Sequence, residues 1–171
     1  MNIRFAGERD CAVVLDFIRA LADYEKLAHE VVATEAALRA TLFGARPAAE
    51  VVIAERADAG GGAVEPLGFA LFFVSYSTFL AKPGLYLEDL FVRPEARGDG
   101  VGGALMAALA RIAVDRGYGR FEWSVLDWNE PALGFYRRLG AMPMADWTVQ
   151  RLTGEPLAAL AARGVAVAAA P

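Results

Sequence analysis

The sequence is poor in the residues that build metal sites and disulfides. Among its 171 residues it has one cysteine, Cys11, and one histidine, His29. A single cysteine excludes both an intrachain disulfide and a Cys-X-X-Cys motif, and zinc sites are built mainly from His and Cys. We therefore predict a protein that holds no metal.

Excess basic charge and long apolar runs are also missing. The chain has 17 Lys and Arg against 21 Asp and Glu, a formal net charge of −4. This disfavours a nucleic-acid-binding surface, because phosphate backbones are bound by clustered Lys and Arg. The longest uncharged stretch, Pro66 to Ala81, is shorter than the ~20 residues of a membrane span, and no apolar signal core follows Met1. We predict a cytoplasmic protein that binds neither nucleic acid nor membrane.

Apolar residues, in contrast, are abundant. They make up 56% of the chain, and charged residues make up 22%, a share that excludes wholesale disorder. A chain of this length buries roughly 70% of its unfolded surface on folding. We predict one domain over residues 1–163, followed by a flexible alanine-rich tail over residues 164–171.

The apolar periodicity predicts ten elements in the order β-α-α-β-β-β-α-β-α-β. Strands are expected at 3–6, 50–56, 67–76, 85–92, 121–126 and 148–152, and helices at 10–25, 34–43, 98–116 and 129–140. Asp10, Thr34 and Asn129 are expected to cap helices, 58–63 to form a hairpin loop and 82–84 a turn. Hairpins early and strand-helix-strand units late predict an α/β fold, a mixed and mostly antiparallel sheet with helices on both faces.

A glycine-rich turn, RGDGVGG over residues 97–103, separates a buried strand from a helix. Glycines let backbone N–H groups approach an anion closely, and a helix N-terminus adds partial positive charge. The pattern predicts a cradle for a pyrophosphate. Its glycine spacing also fits a dinucleotide fold, but that fold places the turn after its first strand, with most of the chain still to follow. A plain glycine-rich turn is the other alternative.

Two successive carboxylates, Glu88 and Asp89, interrupt an otherwise apolar strand. Burying unpaired carboxylates is costly, so the pair indicates a functional site. Strict alternation places them on opposite faces of the sheet, unless a local bulge changes their direction. The alternative for each is an ion pair with an arginine or a bond to backbone N–H groups.

On these residues the sequence resembles the GNAT superfamily of acetyl-CoA-dependent N-acetyltransferases. Arg97, Gly100 and Gly102 meet the family signature, Arg or Gln, two residues, Gly, one residue, Gly or Ala. The segments DYEK (23–26), YLEDLFV (86–92) and WNEPALGFYRRLGA (128–141) resemble the spermidine/spermine and thialysine branch. The resemblance covers about residues 3–153 and implies a GNAT-like fold, acetyl-CoA as co-substrate and a homodimer.

The resemblance also implies roles for individual residues. Glu88 is expected to accept the proton of the amine through water, and Tyr136 to act as general acid toward the coenzyme sulfur. The residues expected to line the site of a cationic substrate are Tyr24, Glu25, Glu88 and Asp89. The residues expected to bind the coenzyme are Leu90, Phe91, Val92, Arg97, Gly98, Asp99, Gly100, Val101, Gly102, Gly103, Asn129 and Tyr136. Core packing for Tyr136, N-capping for Asn129 and an exposed helix end for Tyr24 and Glu25 are the structural alternatives.

These expectations combine into one function. We predict transfer of acetyl from acetyl-CoA to a primary amine of a diamine, a polyamine or a lysine-like amino acid, by direct attack in a ternary complex. Cys11 lacks a nearby histidine and is interpreted as structural rather than as an acyl carrier. Asp99 departs from the pattern, because it places negative charge in the phosphate loop. The alternatives are an aminoglycoside or peptide amine as acceptor, or a non-catalytic sensor that binds coenzyme A.

Overall fold

The computed structural model describes residues 1–57, 64–165 and 167. They fall into two compact units, Met1–Ser124 and Val125–Pro171, which are described one at a time. The predicted hairpin loop at 58–63 lies outside the described residues, as does most of the predicted tail. The predicted domain bounds, 1–163, stay a prediction. No helix among the described residues is both long and apolar enough to cross a membrane.

The first unit is built on a five-stranded sheet. Its elements are β1 (Asn2–Phe5), α1 (Cys11–Tyr24), α2 (Glu35–Leu42), β2 (Glu50–Ala57), β3 (Val64–Ser77), β4 (Lys82–Val92), α3 (Val101–Asp115) and β5 (Phe121–Trp123). The strands follow one another in the sheet in chain order. All neighbours are antiparallel except β4 and β5, which are parallel. The predicted α/β fold with a mostly antiparallel sheet is confirmed.

Helices cover both faces of this sheet. On one face, α1 and α2 pack in a single apolar cluster with inward residues of β2, β3 and β4. Within it the ring of Phe17 stacks on that of Phe69, with centroids 5.2 Å apart. The alternate residues Val52 and Ala70 are also buried, and they point to the other face, where α3 contacts the same three strands.

Helix α1 begins differently from the prediction. Asp10 stands at its N-cap position, but its side chain makes no capping bond to α1. The carboxylate instead accepts the N–H of Gly7 at 2.7 Å and the guanidinium of Arg4 at 2.8 Å, and the bonds from Arg4 hold the pKa of Asp10 below its usual value. Charge-assisted bonds are stronger than a cap. Thr34, in contrast, caps α2 as predicted, since its hydroxyl accepts the N–H of Ala37 at 3.2 Å.

The turn between β3 and β4 lies earlier than predicted. It occupies residues 78–81, where Ala81 has a φ of 49°, and the predicted turn residues 82–84 belong to β4. Gly84 serves close packing instead. A Cβ there would lie 2.7 Å from Ser75 Oγ and 3.0 Å from Arg120 Cγ, so any side chain would press on β3 and on the residue that precedes β5.

The second unit contains α4 (Glu130–Arg138) and α5 (Gly154–Ala161). Asn129 caps α4 as predicted, accepting the N–H of Ala132 at 3.3 Å, and Gly140 ends it with a φ of 85°. The predicted strand at 148–152 is wrong, and β5 stops at residue 123 instead of 126. All residues of 148–152 are exposed, and none of the described strands pairs with them. Helix α5 was missed, although Thr153 followed by Glu155 and Pro156 is typical of a helix start.

Candidate active site

A bulge in β4 sets the direction of the two carboxylates. Leu71 of β3 pairs with Asp89, but the next residue, Phe72, pairs with Leu87, so Glu88 is an extra residue in the ladder. In a regular strand Leu87 and Asp89 would share a face. The bulge instead turns Leu87 toward the α3 face and Asp89, opposite Leu71, toward the α1 face. The strict alternation expected from the sequence therefore breaks at Glu88.

Asp89 lies in an electrostatically unfavourable place for an anion. Burial, and then the negative charges of Glu88 and Glu25, raise its pKa to about 6. Burial also raises the pKa of Glu25, whereas Glu88 is exposed at the bulge. None of the ion pairs among the described residues includes these three carboxylates. The arrangement is one that a cation would stabilise.

Arg97 joins the glycine-rich loop to the end of α1. Its guanidinium carbon lies 4.9 Å from the ring centroid of Tyr24 and 5.7 Å from that of Phe91. Its Nε–H donates to the carbonyl of Val92 at 3.1 Å. The side chain of Arg97 thus fixes the loop against α1 and β4, and its expected contact with the coenzyme stays a prediction. Tyr24 is in this way placed beside the loop, and Glu25, the next residue, interacts electrostatically with Asp89.

The glycine-rich loop forms an open cradle at the start of α3. Gly98 and Gly100 have φ values of 92° and 81°, a conformation that favours glycine. Ala104 donates its N–H to the carbonyl of Gly100 at 3.0 Å. The preceding amides, those of residues 101–103, are the ones that a helix leaves without an intrahelical acceptor. A Cβ added at Gly98, Gly100 or Gly103 would meet no atom within 4 Å, so the surface there has room for an anion.

The second half of β4 pairs with only one of the described strands, on one of its two sides. Among the described residues β5 pairs with Leu85, Tyr86 and Leu87 and then ends, whereas β3 pairs with β4 as far as Val92. Gly68 lets β3 approach closely here, because a Cβ would lie 2.6 Å from the carbonyl oxygen of Phe91. Among the described residues no strand pairs with this edge at 88–92, although the Val92 carbonyl already accepts the Nε–H of Arg97. An extended ligand could pair with the rest of the edge.

The remaining predicted site residues, Asn129 and Tyr136, belong to the second unit. Asn129 is buried and caps α4, so its structural alternative holds. Tyr136 is half-buried on α4, and its ring centroid lies 5.3 Å from that of Phe135. The structure therefore gathers Tyr24, Glu25, Glu88, Asp89 and the loop in one unit, while the roles of Asn129 and Tyr136 stay predictions.

Two other residues complete the description of the first unit. Cys11, the only cysteine, is 1% exposed in the cluster beneath α1, in agreement with a structural role. Arg56 was not singled out from the sequence, yet its Nη1 lies 3.8 Å from Asp99 in the loop. No group of His, Cys, Asp and Glu within the described part of the chain is arranged to hold a metal ion.

Comparisons with known proteins identify the family. Residues 14–141 match the Acetyltransferase (GNAT) family. Thialysine N-epsilon-acetyltransferase of Bos taurus is 40% identical over 166 residues, which cover 94% of this chain and 97% of that protein. L-ornithine N5-acetyltransferase of Arabidopsis thaliana is 36% identical over 198 residues, covering 93% and 87% of the two chains.

A solved structure agrees with the fold. An integron cassette protein from the mobile metagenome of V. cholerae superposes with a TM-score of 0.75 and 26% identity, over 94% of this chain and 96% of that one. The family match spans most of the chain, and the curated relatives are named N-acetyltransferases. The glycine-rich loop, the bulged strand and these relatives lead to one conclusion: the chain belongs to the GNAT family of N-acetyltransferases.

Proposed function

We propose that this protein transfers an acetyl group from acetyl-CoA to the side-chain amine of a lysine-like amino acid or a similar small diamine. The observation that carries the acceptor is the group of three carboxylates, Glu25, Glu88 and Asp89, without an ion-pair partner among the described residues. Relatives named for thialysine and ornithine, both basic amino acids, support the same class. A substrate cation would relieve the repulsion that raises the pKa of Asp89.

The coenzyme site follows from backbone geometry. The open amides at the start of α3 suit the diphosphate, because helix N-termini favour anions. The open edge of β4 at Leu90, Phe91 and Val92 suits a pantetheine arm, whose amides can add to a sheet edge as a peptide does. Acetyl-CoA supplies the activated acetyl group. A backbone N–H of the same edge polarises its carbonyl.

Proton transfer needs an acceptor and a donor. An alkylamine has a pKa near 10.4, so freeing its lone pair at neutral pH costs about 4–5 kcal/mol. Glu88 accepts this proton through water, consistent with its exposure at the bulge, while Asp89 and Glu25 hold the cation. Tyr136 donates to the departing thiolate, because a phenol is protonated at neutral pH. Attack is direct, since the only cysteine is buried and no exposed thiol is present to carry the acyl group.

A thiol-release assay with acetyl-CoA tests the acceptor. The panel comprises thialysine, ornithine, lysine, diaminobutane, spermidine and two aminoglycosides. We expect the highest kcat/KM for the basic amino acids or the diamine. Higher values for the aminoglycosides would contradict the acceptor class, and coenzyme binding without acetylation of any amine would favour a sensor.

Tyr136→Phe separates an enzyme from a sensor. Because the variant removes only the hydroxyl that donates the proton, turnover should fall by about 10²–10⁴-fold, while the Kd of coenzyme A stays unchanged. Tyr86→Phe is the matched control, since the Tyr86 hydroxyl bonds Ser124 Oγ at 2.8 Å and has no role in the proposed chemistry. Equal turnover in both variants would exclude Tyr136 as the acid.

We also propose that the protein is a homodimer. Met142, Met144, Trp147, Val149 and Leu152 are all exposed in the irregular segment of the second unit, and burial of such side chains commonly drives association. Light scattering coupled to size-exclusion chromatography measures the mass. A monomer at micromolar concentration would contradict this part of the proposal.

A further inference from the structure

Arg56, near the end of β2, is held by a neighbouring strand. The sheet register places it directly opposite Glu65 of β3. Its Nε and Nη2 lie 3.3 and 3.1 Å from the same carboxylate oxygen, Glu65 Oε2. One edge of the guanidinium is thus taken up by Glu65, and the third nitrogen, Nη1, remains for another partner.

That other partner is the loop at the start of α3. Arg56 Nη1 lies 3.8 Å from Asp99 Oδ2, and the two side chains are 50% and 58% exposed. A separation of 3.8 Å is too long for a hydrogen bond, so the contact is electrostatic. Asp99 stands between Gly98 and Gly100, the two loop residues with positive φ. Its carboxylate is therefore the one negative side chain within the segment 97–103.

The negative charge of Asp99 opposes the binding of an anion by the loop. Helix N-terminal amides attract anions, but a carboxylate a few ångströms away repels them. In water a unit charge about 5 Å from an anion changes its affinity about fourfold. A positive charge close to the carboxylate cancels most of that effect.

We propose that Arg56 is part of the phosphate-binding site, as the counter-charge that neutralises Asp99 and keeps the loop attractive to a diphosphate. The role is indirect, so Arg56 is a positioning and charge-balancing residue rather than a phosphate ligand. The inference rests on the proposed function, since it takes the coenzyme diphosphate as the anion. It explains how a GNAT loop tolerates an aspartate among its glycines.

Titration calorimetry at low salt measures the Kd of coenzyme A for the wild-type protein, Arg56→Gln, Asp99→Asn and the double variant. Removing Arg56 leaves Asp99 uncompensated, so Arg56→Gln should bind about fourfold more weakly. Asp99→Asn should bind tighter by a similar factor. The double variant restores the original net charge and should bind like the wild type.

Three controls make the result specific. Arg56→Lys keeps the charge and should stay within about twofold of the wild type. Arg111→Gln removes the same charge from α3. Arg111 Nε lies 2.8 Å from Asp115 Oδ2 in the later turns of that helix, so its loss should not change the Kd of coenzyme A. The differences should shrink near 0.5 M salt, where the screening length is about 4 Å. Thermal unfolding verifies that each variant is folded.

Three results would overturn the inference alone. An unchanged Kd in Arg56→Gln would reduce the contact to an incidental surface pair, and a double variant as weak as Arg56→Gln would make Arg56 a direct phosphate ligand. The difference in Kd between the wild type and Arg56→Gln should persist with 3′-dephospho-coenzyme A. Loss of this difference with that probe would mean that Arg56 acts on the 3′-phosphate instead of the diphosphate. Failure of the wild-type protein to bind coenzyme A would overturn the proposed function as well.

Discussion

The two halves of β4 differ although they belong to one strand. In the first half, residues 82–87, β3 pairs along the whole length and β5 pairs with residues 85–87, and the inward side chains Leu85 and Leu87 are buried. Among the described strands, β3 alone pairs with residues 88–92, which begin with two carboxylates. Hydrogen bonding and burial on both sides make the first half a stabilising element. The bulge at Glu88 separates it from a second half whose edge and carboxylates are the ones proposed to bind ligands.

Glu88→Gln gives the largest expected effect on the second half. If Glu88 accepts the amine proton, kcat/KM should fall by about 10²–10³-fold with little change in thermal stability. The matched control is Glu122→Gln on β5, because Glu122 lies opposite Tyr86 in the first half. Steady-state kinetics with the best amine measures both variants. A comparable loss in Glu122→Gln would erase the functional difference between the halves.

Leu85→Ala tests the stabilising half. Leu85 is 0% exposed, so its truncation should lower the free energy of unfolding by about 2–5 kcal/mol. Val92→Ala, in the second half and only half-buried, should cost about 1 kcal/mol. Urea unfolding followed by fluorescence gives both values. If the two truncations lowered the free energy of unfolding equally, the two halves of β4 would not differ in their contribution to stability.

Asp89 should make the second half sensitive to pH. Its pKa is raised from 3.8 to about 6, which means that the folded state disfavours the charged form. Its contribution to stability is therefore full below about pH 4 and is lost as the pH rises through 6, by up to about 3 kcal/mol. Asp89→Asn should remove this part of the pH dependence, as seen in the difference between the unfolding curves of the two proteins.

The same titration should appear in substrate binding. A cationic amine needs the ionised carboxylate, so the KM of the amine should fall as the pH rises through about 6, and this step should be absent in Asp89→Asn. A KM profile with the same step in both proteins would assign it to another group. The contribution of Asp10 to stability has the opposite pH dependence, because its lowered pKa means that this contribution is lost as the pH falls. Asp10 is present in both proteins, so its contribution cancels in the difference between their unfolding curves.

The contact between Arg97 and Tyr24 predicts the smallest effect. A cation over an exposed ring contributes about 0.5–1 kcal/mol, so Tyr24→Leu should raise the amine KM about two- to fivefold. Tyr24→Phe keeps the ring and should retain the wild-type value unless the hydroxyl binds the substrate. The amine KM of Arg97→Gln and of the double variant completes a double-mutant cycle. If the effects of the two substitutions on KM were additive, Tyr24 and Arg97 would not be energetically coupled.

Much of the first unit was predictable because local patterns and tertiary packing agree there. The apolar stripes of α1 and α3 follow from helix periodicity. Glycine at 98 and 100 indicates a turn, and both residues have a positive φ. The bulge at Glu88 was left open, since an extra residue in a ladder depends on how β3 pairs. Pro83 and Gly84 suggested a turn, but Gly84 lies inside β4, where the lack of a side chain lets Ser75 and Arg120 approach closely.

The second unit was less predictable for a related reason. Residues 148–152 have a strand-like composition, yet a strand needs a partner, and composition cannot supply one. The pairing of Arg56 with Asp99 joins residues far apart in the chain. No local pattern connects them, so the charge balance of the loop emerges only from the fold.

The open side of β4 has a consequence for solubility. Unpaired backbone groups along a sheet margin are a template on which strands of other chains can assemble, and proteins often protect such margins with charged side chains. Glu88 and Asp89 stand where the margin opens. The carboxylates proposed to bind the amine would then also protect the ligand-free protein against edge-to-edge pairing of strands, which is a different association from the proposed dimer.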